Sequence, residues 1–65
     1  MIQDYIGRTV QIIYNDRNRK ISIRTIQVRA VRDGKVKAFC YTANAPRIFN
    51  IVNIIDVEPV KSNVS

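Results

Sequence analysis

Residues 35–55 read KVKAFCYTANAPRIFNIVNII, and this stretch decides the fold. Its side chains alternate in character, which is typical of β-strands because neighbouring strand residues point to opposite faces. One face of its first half carries Val36, Ala38, Cys40 and Thr42, and the other carries Lys37, Phe39 and Tyr41. We predict a strand over 35–42, a turn over 43–46, where Asn and Pro favour a reversal, and a return strand over 47–51.

The residues before this stretch predict two more strands joined by a polar loop. Residues 9–14 (TVQIIY) are β-branched and aromatic, which favours a strand, and 15–19 (NDRNR) predict the loop. The long run 20–32 (KISIRTIQVRAVR) alternates with a period near two, so we predict a strand there and not the competing helix.

The apolar phase of this long strand changes once along its length. Its apolar residues are odd-numbered at first and even-numbered later: Ile21, Ile23, Ile26, Val28 and Ala30. A slip of one residue turns every later side chain to the opposite face. We therefore predict a β-bulge or a sharp bend near Arg24-Thr25, which would restore the core face.

The remaining residues complete a small sheet. Asp33-Gly34 is a strong hairpin signal, because both positions of its turn need positive φ. After a bend at 52–53, residues 54–57 predict the last strand, and Pro59 ends it. Five short strands without a useful helical period must curl to bury one face. The predicted class is therefore all-β, a small five-stranded SH3-like or OB-like barrel.

The chain of 65 residues is long enough for one domain at most. We predict a single domain over 1–65, with its barrel core over about 9–60 and a disordered tail over 61–65. A chain this short buries only about 60% of its unfolded surface, so its core must be small.

The charge favours an anionic partner. Eleven Lys and Arg residues stand against five Asp and Glu, and the net charge is +6. Summed positive charge attracts phosphate groups and releases their counterions. The simpler interpretation is a solvated surface that keeps the protein soluble.

Several other classes of protein are disfavoured. The chain has no histidine and one cysteine, so we expect no metal site, no cofactor and no enzyme, with Cys40 as an inert buried thiol. Its apolar runs are far shorter than the roughly 20 residues that span a bilayer, so we expect no membrane partner. The N-terminus lacks the order of a signal peptide, which favours the cytoplasm.

One stretch, AFCYTANAPRIFNIVNI, resembles the C-terminal half of WYL domains, which often show a pattern such as A-(F/Y)-C-x-x-R-x-x-x-R-x-F-x-x-x-R-I. The matching residues are Ala38, Phe39, Cys40, Arg47, Phe49 and Ile54. Upstream, Tyr14 and residues 22–26 (SIRTI) resemble the family's Y…S-x-R-x-(I/V/L) segment. The resemblance covers about 9–60, and Ala43 and Asn53 stand where the family usually has arginine.

The resemblance implies an Sm/SH3-like barrel that senses a ligand or binds nucleic acid in a bacterial or phage regulator. We expect a non-enzymatic module that binds single-stranded nucleic acid or a nucleotide-like effector. Arg24 and Arg47 would contact the anion, because guanidinium groups match phosphate geometry. Tyr41 would stack on a base, and Ser22 would add a polar contact beside Arg24.

These candidates also have structural interpretations. Either arginine could pair with Asp56 or Glu58, and Tyr41 could be a half-buried strand aromatic. Phe39 and Phe49 are expected in the core. The remaining basic residues of the hairpins are interpreted as solvated charges: Arg17, Arg19, Lys20, Arg29, Arg32, Lys35 and Lys37.

The alternative function is a protein–protein interaction or dimerisation module that has lost ligand binding. In that case a barrel edge, or exposed apolar residues such as Ile13 and Ile48, would pair with another chain or with a second copy.

Overall fold

A computed structural model describes residues 2–60 of the chain. Over that range the chain forms five β-strands and two short 3₁₀ helices. In chain order the elements are a 3₁₀ helix at Ile2–Tyr5, β1 at Thr9–Asn15, β2 at Ile21–Arg32, β3 at Lys35–Cys40, β4 at Ala45–Asn50, a 3₁₀ helix at Ile51–Asn53, and β5 at Ile54–Pro59. The all-β prediction is confirmed. The tail predicted at 61–65 lies outside the described residues.

The five strands form one antiparallel sheet in the order β4-β3-β2-β1-β5. The first four strands follow one another as hairpin neighbours. The fifth strand returns to pair with β1, so that β4 and β5 are the two edges of the sheet.

The register of β2 differs from the one its apolar pattern predicts. Its pairing with β1 is unbroken, from Thr9 opposite Gln27 to Asn15 opposite Ile21. The even-numbered residues of β2 therefore face the core throughout this region, and Ile23 points outward with 60% of its surface exposed. The bulge predicted at Arg24-Thr25 was wrong, because the first isoleucines of β2 belong to the solvent face.

The irregularity in β2 lies at Arg29. The pairing with β3 shifts between Val28 and Ala30, which leaves Arg29 without an opposite residue. Beyond it, Ala30 lies opposite the exposed Lys37, and Val31 lies opposite the buried Val36 and packs on the core. An extra residue in one strand changes the phase of all later side chains. The predicted change from odd- to even-numbered core residues near Arg24-Thr25 does not occur, and the structure has instead a change from even to odd after Val28.

The two hairpin turns at either end of β3 differ in how well the sequence predicts them. Asp33 (φ 52°) and Gly34 (φ 74°) both have positive φ, which confirms the predicted hairpin. The next turn comes two residues earlier than predicted, because β3 ends at Cys40 and β4 begins at Ala45. Asn44 supplies its left-handed residue (φ 54°).

The core lies on one face of this sheet. Its buried residues are Ile2, Val10, Ile12, Ile26, Val28, Val36, Ala38, Cys40 and Phe49. Cys40 is a buried free thiol, as predicted. Phe49 is buried as predicted, whereas Phe39 is only half-buried and outside this cluster, because it alternates with Ala38 and Cys40.

The sheet curls around this core. Strands β1 and β4 are separated by β2 and β3 in the sheet, yet their residues touch. The rings of Tyr14 and Phe49 pack edge to face with centroids 5.0 Å apart. The Asn50 backbone N–H donates a hydrogen bond of 3.2 Å to the Tyr14 hydroxyl. A flat sheet would hold these strands too far apart for either contact.

Candidate functional site

Ser22 and Arg24 lie together near the beginning of β2. Arg24 is opposite the buried Ile12 in the register, so both residues belong to the core-facing side of the sheet. The Arg24 Nε donates a hydrogen bond of 3.2 Å to the Ser22 Oγ. The guanidinium carbon is 5.9 Å from the centroid of the Phe49 ring. This half-buried arginine therefore lies at one end of the core.

Tyr41 lies elsewhere, in the turn that follows β3. It is 49% exposed. Its ring packs edge to face against Phe39, with centroids 5.2 Å apart and an interplanar angle of 70°. Phe39 lies on the outer face, since it alternates with the buried Ala38 and Cys40. About half of the Tyr41 surface is thus accessible to a ligand.

Arg47 lies on the edge strand β4 and is exposed. Its Cα is opposite the buried Ala38, so its backbone position is on the core-facing side of the sheet, at the open edge. It lines a shallow groove together with Arg29, Lys37, Pro46 and Ile48. The structure therefore divides the four predicted site residues into two groups by location. Ser22 and Arg24 lie beside Phe49, whereas Tyr41 lies in the turn of the β3–β4 hairpin and Arg47 lies on its edge strand.

The second group belongs to a larger surface, which we call the basic-aromatic face. It consists of Arg29, Lys37, Phe39 and Tyr41, and Arg47 borders it at the β4 edge. The alternation of β3 places Lys37 and Phe39 on the outer side. The guanidinium carbon of Arg29 is 5.8 Å from the Phe39 ring centroid, within the range of a cation–π contact. Two cations and two rings therefore lie together on the outer side of β2 and β3 and in the turn after β3, and a third cation, Arg47, lies at the adjoining edge.

Sequence reasoning missed two members of this face. Arg29 was interpreted as a solvated hairpin charge and Phe39 as a core residue. The signal for Arg29 was present in the sequence. The core-facing residues Val28 and Val31 are three positions apart and not two, so one extra residue lies between them. The signal for Phe39 was its alternation with Ala38 and Cys40.

The charge of this part of the molecule is strongly asymmetric. Strands β2 to β4 and their turns carry six cations, Arg24, Arg29, Arg32, Lys35, Lys37 and Arg47, against one carboxylate, Asp33. Asp33 is 3.7 Å from Arg32, but both side chains are almost fully exposed, so this pair contributes little.

The two carboxylates that could have neutralised the arginines lie on the opposite edge of the sheet. Asp56 and Glu58 are on β5, opposite Ile13 and Gln11 of β1. Within residues 2–60, neither forms an ion pair with Arg24 or Arg47. Neither of these two carboxylates therefore offsets the charge of Arg24 or Arg47.

Metal-binding clusters and membrane-spanning helices are both absent from the part of the chain that the structure describes. Residues 2–60 contain no group of three or more His, Cys, Asp or Glu side chains placed to hold a metal ion. Over the same range, no helix has the length and apolar character needed to cross a bilayer.

No protein-family model matches the chain, and neither curated proteins nor solved structures give a significant match. The resemblance to WYL domains therefore depends on the sequence motifs alone. Function must be argued from the geometry of the described residues.

Proposed function

We propose that this chain is a non-enzymatic, WYL-like barrel of the SH3-like or Sm-like type that binds single-stranded nucleic acid, or a nucleotide-like anion, in a regulatory role. The sheet order, with β5 returning to β1, and the contact between Tyr14 and Phe49 across the curl support the barrel type. The basic-aromatic face supports the ligand class.

One observation carries the proposal: the Phe39 and Tyr41 rings pack against each other with Arg29 over the first of them. Single-stranded nucleic acid is bound by aromatic side chains that stack on bases, beside cations that follow the phosphates. Tyr41, in the turn after β3, offers the exposed ring. Lys37 lies on β3 and Arg47 on β4, the two strands that this turn joins. In a duplex the base faces are stacked on one another, so a duplex would engage only the cations.

Arg24 and Ser22 remain a second candidate contact for an anion. Their side chains lie on the core-facing side of the sheet, against Phe49. A small effector with one phosphate would suit this position better than a polymer, because the guanidinium is half-buried and already bonded to Ser22.

Tyr41→Ala is expected to weaken binding of a single-stranded oligonucleotide of about 12 nucleotides by roughly 1–3 kcal/mol, the contribution of one base–aromatic stack. Tyr41→Phe keeps the ring and is expected to bind like the wild type. Fluorescence anisotropy at low salt measures both. The ring is half-exposed, so neither change should unfold the domain, and circular dichroism checks this.

The same titration with a duplex of matched sequence gives the control for charge alone. We expect weaker binding to the duplex and no difference between Tyr41→Ala and the wild type on it. Equal affinity of all three proteins for the single strand would contradict the proposal.

A further inference from the structure

Two outward-facing patches of this molecule each have an apolar centre, and the charged residues around the two centres have opposite signs. The first, which we call the acidic patch, centres on Ile13 and Ile23, which are directly opposite each other on β1 and β2. Asp56 of β5 is opposite Ile13, and Glu58 is two residues along the same strand. These four residues and Gln11 line one shallow cleft. The patch therefore has an apolar centre and an acidic rim.

The second, which we call the basic patch, centres on Ile48 of β4. Ile48 is 60% exposed, as is Ile23 in the acidic patch. Its Cα is opposite Lys37, and it lines one groove with Arg29, Lys37 and Arg47. This patch has an apolar centre and a basic rim, and is the counterpart of the first.

We infer that the acidic patch of one copy of this chain docks on the basic patch of a second copy. Within one molecule the two patches cannot meet, because Ile23 on β2 and Ile48 on β4 both lie on the outer side of the curled sheet, away from the core. Nucleic acid cannot occupy the acidic patch, since Asp56 and Glu58 repel phosphate. A surface of opposite charge with an exposed isoleucine fits it, and this chain carries one.

The contact joins two different patches, so it is heterologous. The resulting dimer still presents one free patch of each kind, one on each copy, and growth continues until a ring closes or a filament forms. Burial of exposed isoleucines supplies the attraction. The charged rims set the orientation of the two copies and exclude contacts between two patches of the same kind, because their charges repel. Association should therefore weaken as the salt concentration rises.

Two variants with one damaged patch each test this inference. Asp56→Lys with Glu58→Lys reverses the acidic rim, and Arg29→Gln with Lys37→Gln and Ile48→Gln removes the basic rim and its apolar centre. The two damaged patches then have neither opposite charges nor a matching apolar centre, so they cannot pair with each other. All five side chains are exposed, so the fold should be kept. Sedimentation velocity measures mass from micromolar to sub-millimolar concentration, without nucleic acid, so this result is independent of the proposed function.

We expect the wild type to gain mass with concentration and each variant alone to stay monomeric. An equimolar mixture of the two variants should form 1:1 dimers and nothing larger, because each partner keeps one native patch of the opposite kind. A control with Arg17→Glu and Lys20→Glu, in the β1–β2 loop, should associate like the wild type. A monomeric wild type, or a mixture that stays monomeric, would overturn the inference.

Discussion

Ile26→Ala should remove most of the stability of this domain, whereas Ile23→Ala, three residues earlier on the same strand, should be almost silent. Ile26 is fully buried and Ile23 is 60% exposed. Truncating a buried isoleucine costs about 2–5 kcal/mol, and a chain of this length has a free energy of unfolding of about 3–10 kcal/mol. A substitution at an exposed position changes stability by about 0.5 kcal/mol or less.

Urea denaturation followed by circular dichroism measures both variants at low protein concentration. If Ile26→Ala is too unstable to purify, Ile26→Val gives a smaller loss of about 0.5–1.5 kcal/mol that can be measured. Comparable losses at Ile23 and Ile26 would mean that the first half of β2 faces the core with its odd-numbered residues, as its apolar pattern alone predicts. The register with β1 would then be incorrect.

Arg29→Ala with Lys37→Ala should weaken binding of single-stranded nucleic acid at least tenfold at low salt. Each lost charge-assisted contact costs about 1.5 kcal/mol or more, and about 1.4 kcal/mol is tenfold in affinity. The slope of the logarithm of affinity against the logarithm of salt concentration should become shallower as well. Three phosphate contacts on a single strand give a slope of about −2, and the loss of two of them leaves about −0.7.

Arg17→Ala with Lys20→Ala is the matched control, because it removes one arginine and one lysine from the exposed β1–β2 loop. It should lower affinity only slightly, through the reduced net charge. Anisotropy titrations at several salt concentrations give affinity and slope for both variants. Equal losses in the two variants would mean that binding is diffuse and has no defined surface.

Much of the fold follows from local patterns in the sequence. Alternation predicts the strands, and Asp33-Gly34 predicts its hairpin because the turn needs two positive φ angles. The phase of β2 did not follow, because an outward-facing isoleucine and a buried one have the same hydrophobicity. Only the pairing with β1 and β3 decides which of Ile23 and Ile26 is inside.

The candidate site was predictable to a smaller extent. Tyr41 was predicted from its residue type and Arg47 from the family resemblance, and the structure places Tyr41 in the turn after β3 and Arg47 on β4. Arg29 and Phe39 were missed, because their positions depend on a bulge and on the face that β3 turns outward. Such features depend on contacts between strands, which no single segment encodes.

An NMR titration of the labelled protein with single-stranded DNA maps the binding surface residue by residue. We predict that the largest amide shifts fall on the basic-aromatic face, at Arg29, Lys37, Phe39 and Tyr41, with smaller changes along the rest of β3 and β4. Shifts confined to Ser22 and Arg24, or spread evenly over the basic loop at 15–20, would contradict binding at this face.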